Sequence, residues 1–370
     1  MPDSTPIDGG ADIGCGGVLC VTTAGGVSER LGLGVTGFKV MRDRSFQAFA
    51  ALPILLIAAG CVDVQSALNP AGGEAERIHA LSWILIIFCS VVFLGVAIAT
   101  MIALFGSHQW RQRLAGERLV IGAGFIFPTA ALSALLGYSV IIMGMADSVE
   151  GQDGLRISVV GERWWWRVIY IARDGRRIES ANELRVPTGQ PVHIELTSAD
   201  VIHSFWVPKL AGKLDMIPGR TNTLTLNVNE PGISRGQCAE YCGGAHALMS
   251  FFVIAMPPAD FETWLARESE PAAVPVNEAE IQGHALFVQS GCGACHTLRG
   301  TDASGTIAPD LTHVGNRHSL AAATLPNNAE AFASWIRDNQ HIKPENLMPP
   351  YEIYTERELG QLATYLESLR

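Results

Sequence analysis

Two apolar runs without a single charged residue, Ile78 to Phe105 and Leu119 to Met145, restrict this 370-residue chain more than anything else in it. Each exceeds the ~20 residues that cross a hydrocarbon core as a helix. The pair reads as a transmembrane hairpin within residues 62–150, with helices at about 78–105 and 119–145. The loop between them carries Arg111, Arg113 and Arg118. Cations in a short loop hold it on the cytoplasmic face, so both outer ends lie on the opposite side and everything after residue 150 is periplasmic. Glu117, at the cytoplasmic boundary, reads as a solvated loop charge, with a part in proton uptake as the rival role.

Upstream of the hairpin, residues 1–40 show no hydrophobic periodicity and read as a leader that precedes the true start. Residues 41–61 fit a secretory signal: Met41-Arg-Asp-Arg, a short apolar core from Phe46 to Ala59, then Gly60-Cys61. Ala58-Ala-Gly-Cys61 also resembles a bacterial lipoprotein cleavage box in which Cys61 is lipidated, with Ala58 where Leu is commoner. Cys15 and Cys20 receive no role, and Cys89, inside an apolar run, reads as a packing residue. A net charge of −10 argues against nucleic acid as a partner. Residues 261–370 hold 14 Asp/Glu against 7 Lys/Arg, a surface suited to basic proteins.

From residue 151 to 265 the pattern shortens to a period of two. Leu184-Arg-Val, Val192-His-Ile-Glu-Leu and Thr223-Leu-Thr-Leu-Asn-Val alternate or are β-branched, with Gly and Pro between them and almost no helical signal. Such spacing points to an all-β sandwich or barrel. It carries His203 and then Cys238-x-Glu240-x-Cys242-x₃-His246-x₂-Met249. Gly243-Gly244 makes the second segment a loop, and two thiolates on one short loop bridge a pair of soft metal ions. Thiolate, imidazole and thioether together select copper. A mononuclear blue-copper site uses one Cys, so the second argues for two ions. A structural zinc is the rival, but zinc has no need of Met.

A Pro/Ala linker over 266–276 leads to a third segment, 277–370. Ala279 to Ser290 reads as a short helix running into Cys292-Gly-Ala-Cys295-His296. That motif attaches haem c through two thioethers and supplies His296 as an axial ligand. Met348, in Leu347-Met-Pro-Pro, is the candidate sixth ligand, with His284, His313, His318 and His341 as rivals. The closing helix, Thr355 to Leu369, sets Leu359, Leu362, Leu366 and Leu369 on one face.

Ala199-Asp-Val-Ile-His-Ser-Phe-Trp-Val-Pro, Lys213-Leu-Asp-Met-Ile-Pro-Gly-Arg and Gln237-Cys-Ala-Glu-Tyr-Cys-Gly-Gly-Ala-His-Ala-Leu-Met closely resemble subunit II of haem–copper cytochrome c oxidases. With Pro309-Asp-Leu and the closing helix, which resemble class I cytochrome c, the likeness extends over 41–370 to a subunit II carrying a fused C-terminal cytochrome c, as in caa₃-type oxidases. The resemblance implies a multidomain membrane protein: a two-helix transmembrane hairpin, an all-β cupredoxin sandwich and an all-α class I cytochrome c domain. It implies a binuclear CuA centre bridged by Cys238 and Cys242, with His203 and Met249 on one ion and His246 and the Glu240 carbonyl on the other. The Glu240 carboxylate would help bind magnesium at the subunit I interface, and His246 would lie on the way out to haem a. Gly161-Glu-Arg-Trp-Trp-Trp166 matches the family's aromatic segment, with Trp165 where Tyr is usual; Trp164 would be the surface residue where an electron enters.

The function so implied is that of a terminal oxidase subunit in a bacterial inner membrane, passing electrons from cytochrome c to subunit I for oxygen reduction and proton pumping. Its partners are subunit I, the other oxidase subunits, cytochrome c and the lipid bilayer. The alternatives are the electron-accepting subunit of a CuA-type nitric oxide reductase and a free-standing membrane-anchored shuttle.

Overall fold

The computed structural model describes residues 63–146, 154–172 and 174–370; the leader, the signal segment and Cys61 lie outside them. Helix α1 (Gly73–Phe105) contains the first apolar run and opens with Glu74 and Glu76, whose charges suit the positive end of the helix dipole. It stops at Gly106, where a Cβ would sit 2.3 Å from the Ile102 carbonyl oxygen. Helix α2 (His108–Leu114) follows, with the Arg113 guanidinium 5.0 Å from the Trp110 ring centre. The second run forms α3 (Glu117–Ile121), a π-helical turn (Gly122–Ile126) and α4 (Phe127–Ala146). The wider turn has a cause in Pro128. Its ring would press on the carbonyl of Gly124 in a regular α-helix, and it has no N–H to donate there.

Gly73–Phe105 and Glu117–Ile141 are each long and apolar enough to cross a membrane. Their side chains point outward, Phe93 being 71% and Phe125 72% exposed, an apolar surface far beyond what water tolerates on a monomer. Cys89 is exposed on α1 within this chain, on a face available to lipid or a neighbouring subunit. Glu117 is exposed at the start of α3.

The β segment is a sandwich of two five-stranded sheets, one ordered β3-β2-β1-β5-β8 and the other β4-β10-β9-β6-β7. The strands are β1 (Leu155–Glu162), β2 (Trp165–Ile171), β3 (Arg177–Ala181), β4 (Glu183–Pro187), β5 (Pro191–Ser198), β6 (His203–Trp206), β7 (Leu214–Met216), β8 (Asn222–Asn227), β9 (Gly232–Cys238) and β10 (Ser250–Met256). Alternation builds the core directly: Ile157 and Val159 of β1 and Val192, Ile194 and Leu196 of β5 point inward and are fully buried. Trp166, Phe205 and Phe251 fill the centre, the last two stacked at 4.7 Å. Phe251 lies flat on Gly236, where any Cβ would come within 2.2 Å of its ring. Helix α5 (Pro258–Glu268) closes this domain, with Trp264 5.1 Å from the Tyr170 ring; it corrects the reading of residues 151–265 as nearly free of helix.

The third segment is helical: α6 (Glu278–Gln289), α7 (Ala329–Ile342) and α8 (Glu356–Ser368), with a short hairpin of β11 (Ser319–Leu320) and β12 (Leu325–Pro326). Asn277 and Asn328 accept backbone N–H bonds at the starts of α6 and α7, and Thr355 with Glu358 forms a capping box on α8. Helices α6 and α8 cross at Gly283, where a Cβ would lie 2.2 Å from the Gln361 carbonyl oxygen. Leu359, Leu362, Leu366 and Leu369 are all buried against Phe287, Phe332 and Ile336.

Candidate functional site

The sandwich gathers the sulfur and imidazole donors at one end. His203 opens β6 and Cys238 closes β9, and pairing of those strands sets Phe205 opposite Cys238. The loop from 239 to 249 returns so that the Cys238 N–H donates to the Met249 carbonyl at 2.9 Å, while the Ala239 N–H donates to Ser204. His246 sits in a 3₁₀ turn, His246–Leu248, inside that loop. Cys238 Sγ is 3.8 Å from His203 Nδ1 and 3.8 Å from Cys242 Sγ. Cys242 Sγ is in turn 3.4 Å from His246 Nδ1 and 3.8 Å from Met249 Sδ. The Glu240 carbonyl oxygen stands 3.2 Å from Cys238 Sγ, while its residue is exposed. His203, Cys238, Cys242 and Met249 are buried. Every donor on which the sequence reading rested is thus in one cluster.

The cluster is oriented from outside. His203 Nε2 bonds Asp200 Oδ1 at 2.8 Å, which leaves Nδ1 toward the sulfurs. The ring fits because Gly161 on β1 has no side chain; a Cβ there would come within 2.7 Å of His203 Cδ2. Burial alone would lower the His203 imidazole, but hydrogen bonds and charge from Cys238 and Asp200 outweigh it and raise its pKa. The Cys242 thiol beside it, with His203, holds the Cys238 thiol well below its usual range against the opposing effect of burial. Asp200 itself was not singled out from the sequence; an acid placed three residues before His203 was the available signal. The donor chemistry fits copper: two sulfurs that share a wall, two imidazoles with Nδ1 inward, a thioether and a carbonyl.

In the helical segment, Gly291 in the left-handed region (φ 70°) turns the chain from α6 into Cys292. His296 Nδ1 lies 2.7 Å from the Pro309 carbonyl, so Nδ1 carries the proton and Nε2 is the free ligand nitrogen. Burial holds the His296 pKa down, which keeps the ring neutral as an iron ligand requires. Cys292 and Met348 both pack on the helical core, and Met348 Sδ accepts from Trp335 Nε1 at 3.2 Å. The rival histidines are otherwise engaged or solvent-facing. His313 Nε2 is 3.1 Å from the Glu270 carbonyl, His284 packs on Tyr365, His318 lies on the edge of Phe252, and His341 is exposed. Two thiols, a neutral imidazole with a fixed tautomer and a thioether are a fitting donor set for haem.

Trp164 is not a surface residue, and this corrects the sequence reading: it is 5% exposed. Its indole Nε1 donates to the Cys242 carbonyl at 3.0 Å, and its own carbonyl accepts from Lys343 of the helical segment. Its ring belongs to the buried core of the sandwich, and the helical domain meets its backbone. Trp166, fully buried, has its ring centre 6.4 Å from that of His203. Trp165 instead stacks under the Arg167 guanidinium at 4.7 Å.

A membrane hairpin, a β-sandwich with a copper-type donor cluster and a helical haem-type segment define a membrane-anchored electron-transfer protein. The sequence profile of the cytochrome c oxidase subunit II periplasmic domain matches residues 155–256, and that of cytochrome c matches residues 281–370. Cytochrome c oxidase subunit 2 of Alkalihalophilus pseudofirmus is 32% identical over 331 residues, spanning 86% of this chain and 95% of that protein. The same subunit of Bacillus subtilis is 28% identical over 346 residues, 87% of this chain and 96% of that one. The crystal structure of the periplasmic domain of subunit II of cytochrome oxidase from Bradyrhizobium japonicum is 29% identical, covers 32% of this chain and 95% of its own, and has a TM-score of 0.30. The chain belongs to the cytochrome c oxidase subunit II family and carries a cytochrome c domain. It is accordingly a component of a haem–copper oxidase, associates with subunit I, and transfers electrons through domains of the copper and haem types.

Proposed function

We propose that this subunit carries electrons from a cytochrome c first to a haem attached at Cys292 and Cys295, then to a binuclear CuA centre, then to haem a in subunit I. Oxygen is reduced to water there, with proton pumping. His296 and Met348 would be the axial ligands of the haem. Cys238 and Cys242 would bridge the coppers, His203 and Met249 completing one ion and His246 and the Glu240 carbonyl the other. When bound, the two groups supply reversible one-electron chemistry at iron and copper; the protein's part is to hold their ligands still. The exposed Glu240 carboxylate is free to share a magnesium ion with subunit I, and His246 marks the way out. The setting is the bacterial inner membrane, crossed twice, with both cofactor domains on the periplasmic side.

One observation carries the reading: Cys238, Cys242, His203, His246 and Met249 form a continuous chain of donor contacts of 3.4–3.8 Å in a buried wall. Trp164 keeps a role in electron transfer, but as an internal relay, because its ring is buried and bonds the Cys242 carbonyl. Cys242→Ser in the purified oxidase tests the assignment. The paired-copper absorption and paramagnetic signals are expected to vanish while the haem bands persist; a surviving paired-copper signal rejects the ligand set.

A further inference from the structure

Lys343 is the C-cap of α7 and only 3% exposed, an unusual place for an ammonium group. Its three N–H donors are all used. Nζ donates to the carbonyls of Trp164 at 2.5 Å, Leu248 at 3.0 Å and Ala321 at 3.3 Å. Two of these acceptors belong to the copper-type domain. Leu248 precedes Met249, and Trp164 reaches back to Cys242 through its indole.

The third acceptor opens a strained turn. Ala321, Ala322 and Ala323 have φ values of 52°, 59° and 61°, three successive non-glycine residues in the left-handed region. Ala321 accepts from Lys343 within the helical domain, while the next two carbonyls reach the copper-type domain: Ala322 accepts from the Ser250 N–H at 3.3 Å and Ala323 from Arg235 Nη2 at 3.4 Å. On the other side of Lys343, Glu345 also has a left-handed backbone (φ 65°). Its carboxylate rests on Gly244, where a Cβ would lie 2.4 Å from Glu345 Oε2. Strain of this kind persists only where surrounding contacts hold it; here the β11–β12 pairing and Thr324 hold the turn from within, and Ser250 and Arg235 hold it from the copper-type domain.

We propose that Lys343 is a positioning residue for electron transfer between the two domains: its buried ammonium, with the left-handed Ala321–Ala323 turn, bolts the helical domain onto the Cys242–Met249 loop and fixes their separation. The proposal rests on the haem-to-copper reading above. The step it serves moves one electron from ferrous iron to the oxidised copper pair, leaving ferric iron and the reduced pair, with no bond or proton exchanged. Met in place of Lys343 keeps the unbranched stem and removes all three donors, which takes the Lys343 bond from the buried Trp164 carbonyl and leaves those of Leu248 and Ala321 to the Thr324 hydroxyl alone.

The test uses the loaded oxidase carrying Lys343→Met. Amide exchange over residues 243–251 and 319–324 is expected to rise about tenfold, while α6, α8 and β5 keep their protection. Copper and haem spectra and potentials stay unchanged, and transfer of a photoinjected electron from haem to copper slows several-fold. A purely structural role does not slow that transfer in a complex with unaltered spectra. If the variant does not assemble, Arg235→Gln, which frees only the Ala323 carbonyl, is expected to raise exchange over 319–324. Unchanged exchange and an unchanged transfer rate overturn the role of Lys343. If the unaltered oxidase passes no electron from haem to copper, the functional reading itself fails.

Discussion

Asp200 has no donor role toward a metal, yet the His203 ring depends on it. Its Oδ1 takes Nε2 at 2.8 Å, and its other oxygen accepts the Arg163 N–H at 2.8 Å. Partners of this kind fix which imidazole nitrogen faces the metal. Asp200→Ala is therefore expected to weaken copper retention by roughly 10- to 100-fold in competition with a chelator; undiminished retention contradicts the orienting role. On the haem side, Met348→Ala is expected to lower the haem potential and remove the thioether-to-iron band, whereas an unmoved potential assigns the sixth position to one of the histidines. The candidate donor residues were legible in the sequence because a metal-type donor set restricts both residue type and spacing. Asp200, Gly161 and Lys343 were not. Gly161 and Lys343 act on groups brought in across a strand pair or a domain boundary, which no local pattern encodes, whereas Asp200 lies three residues before His203 and left only that spacing as a signal.

Among elements, the closing helix was legible almost to its ends. Thr355 and Glu358 satisfy each other's orphan donors, and the leucines at helical spacing bury a single stripe. Thr355→Ala is expected to cost about 1 kcal/mol, seen as faster amide exchange in the first turn of α8. Gly283 makes a stronger claim. Any Cβ there meets the Gln361 carbonyl, so Gly283→Ala must push α6 from α8, and a loss of about 1–3 kcal/mol is expected in denaturant unfolding of the haem-type domain. Unchanged stability would mean that the crossing is looser than described. The short α5 and α7 were harder to read. Helix α7 has a buried face of Ala331, Phe332 and Ile336, too few residues to stand out from the surrounding loops. The π turn before Pro128 was likewise hidden, because a proline in an apolar run signals a disturbance without specifying its form.

At the scale of the whole molecule, Trp164 is buried, and the helical domain's surface is the most acidic part of the chain, so a basic donor would dock there. Oxidation of a basic cytochrome c is expected to slow as salt screens this surface, through a weaker association rate. Turnover indifferent to ionic strength would remove charge from the docking account. The order of hairpin, sandwich and helical domain was legible from hydropathy and period alone, since those signals persist over dozens of residues. The junction between the two cofactor domains was not, because its surface is a mosaic of backbone carbonyls, Arg185, Arg235, Arg299 and Lys343.

One chain would hold a sulfur-bridged pair of coppers beside a covalently held haem. Metal analysis joined to a paramagnetic-resonance spectrum of the purified oxidase decides the matter. Coupled copper ions sharing one unpaired electron are expected, together with a haem that stays on the chain through denaturation. Zinc in the sandwich, an isolated copper ion, or a haem lost on denaturation would contradict it.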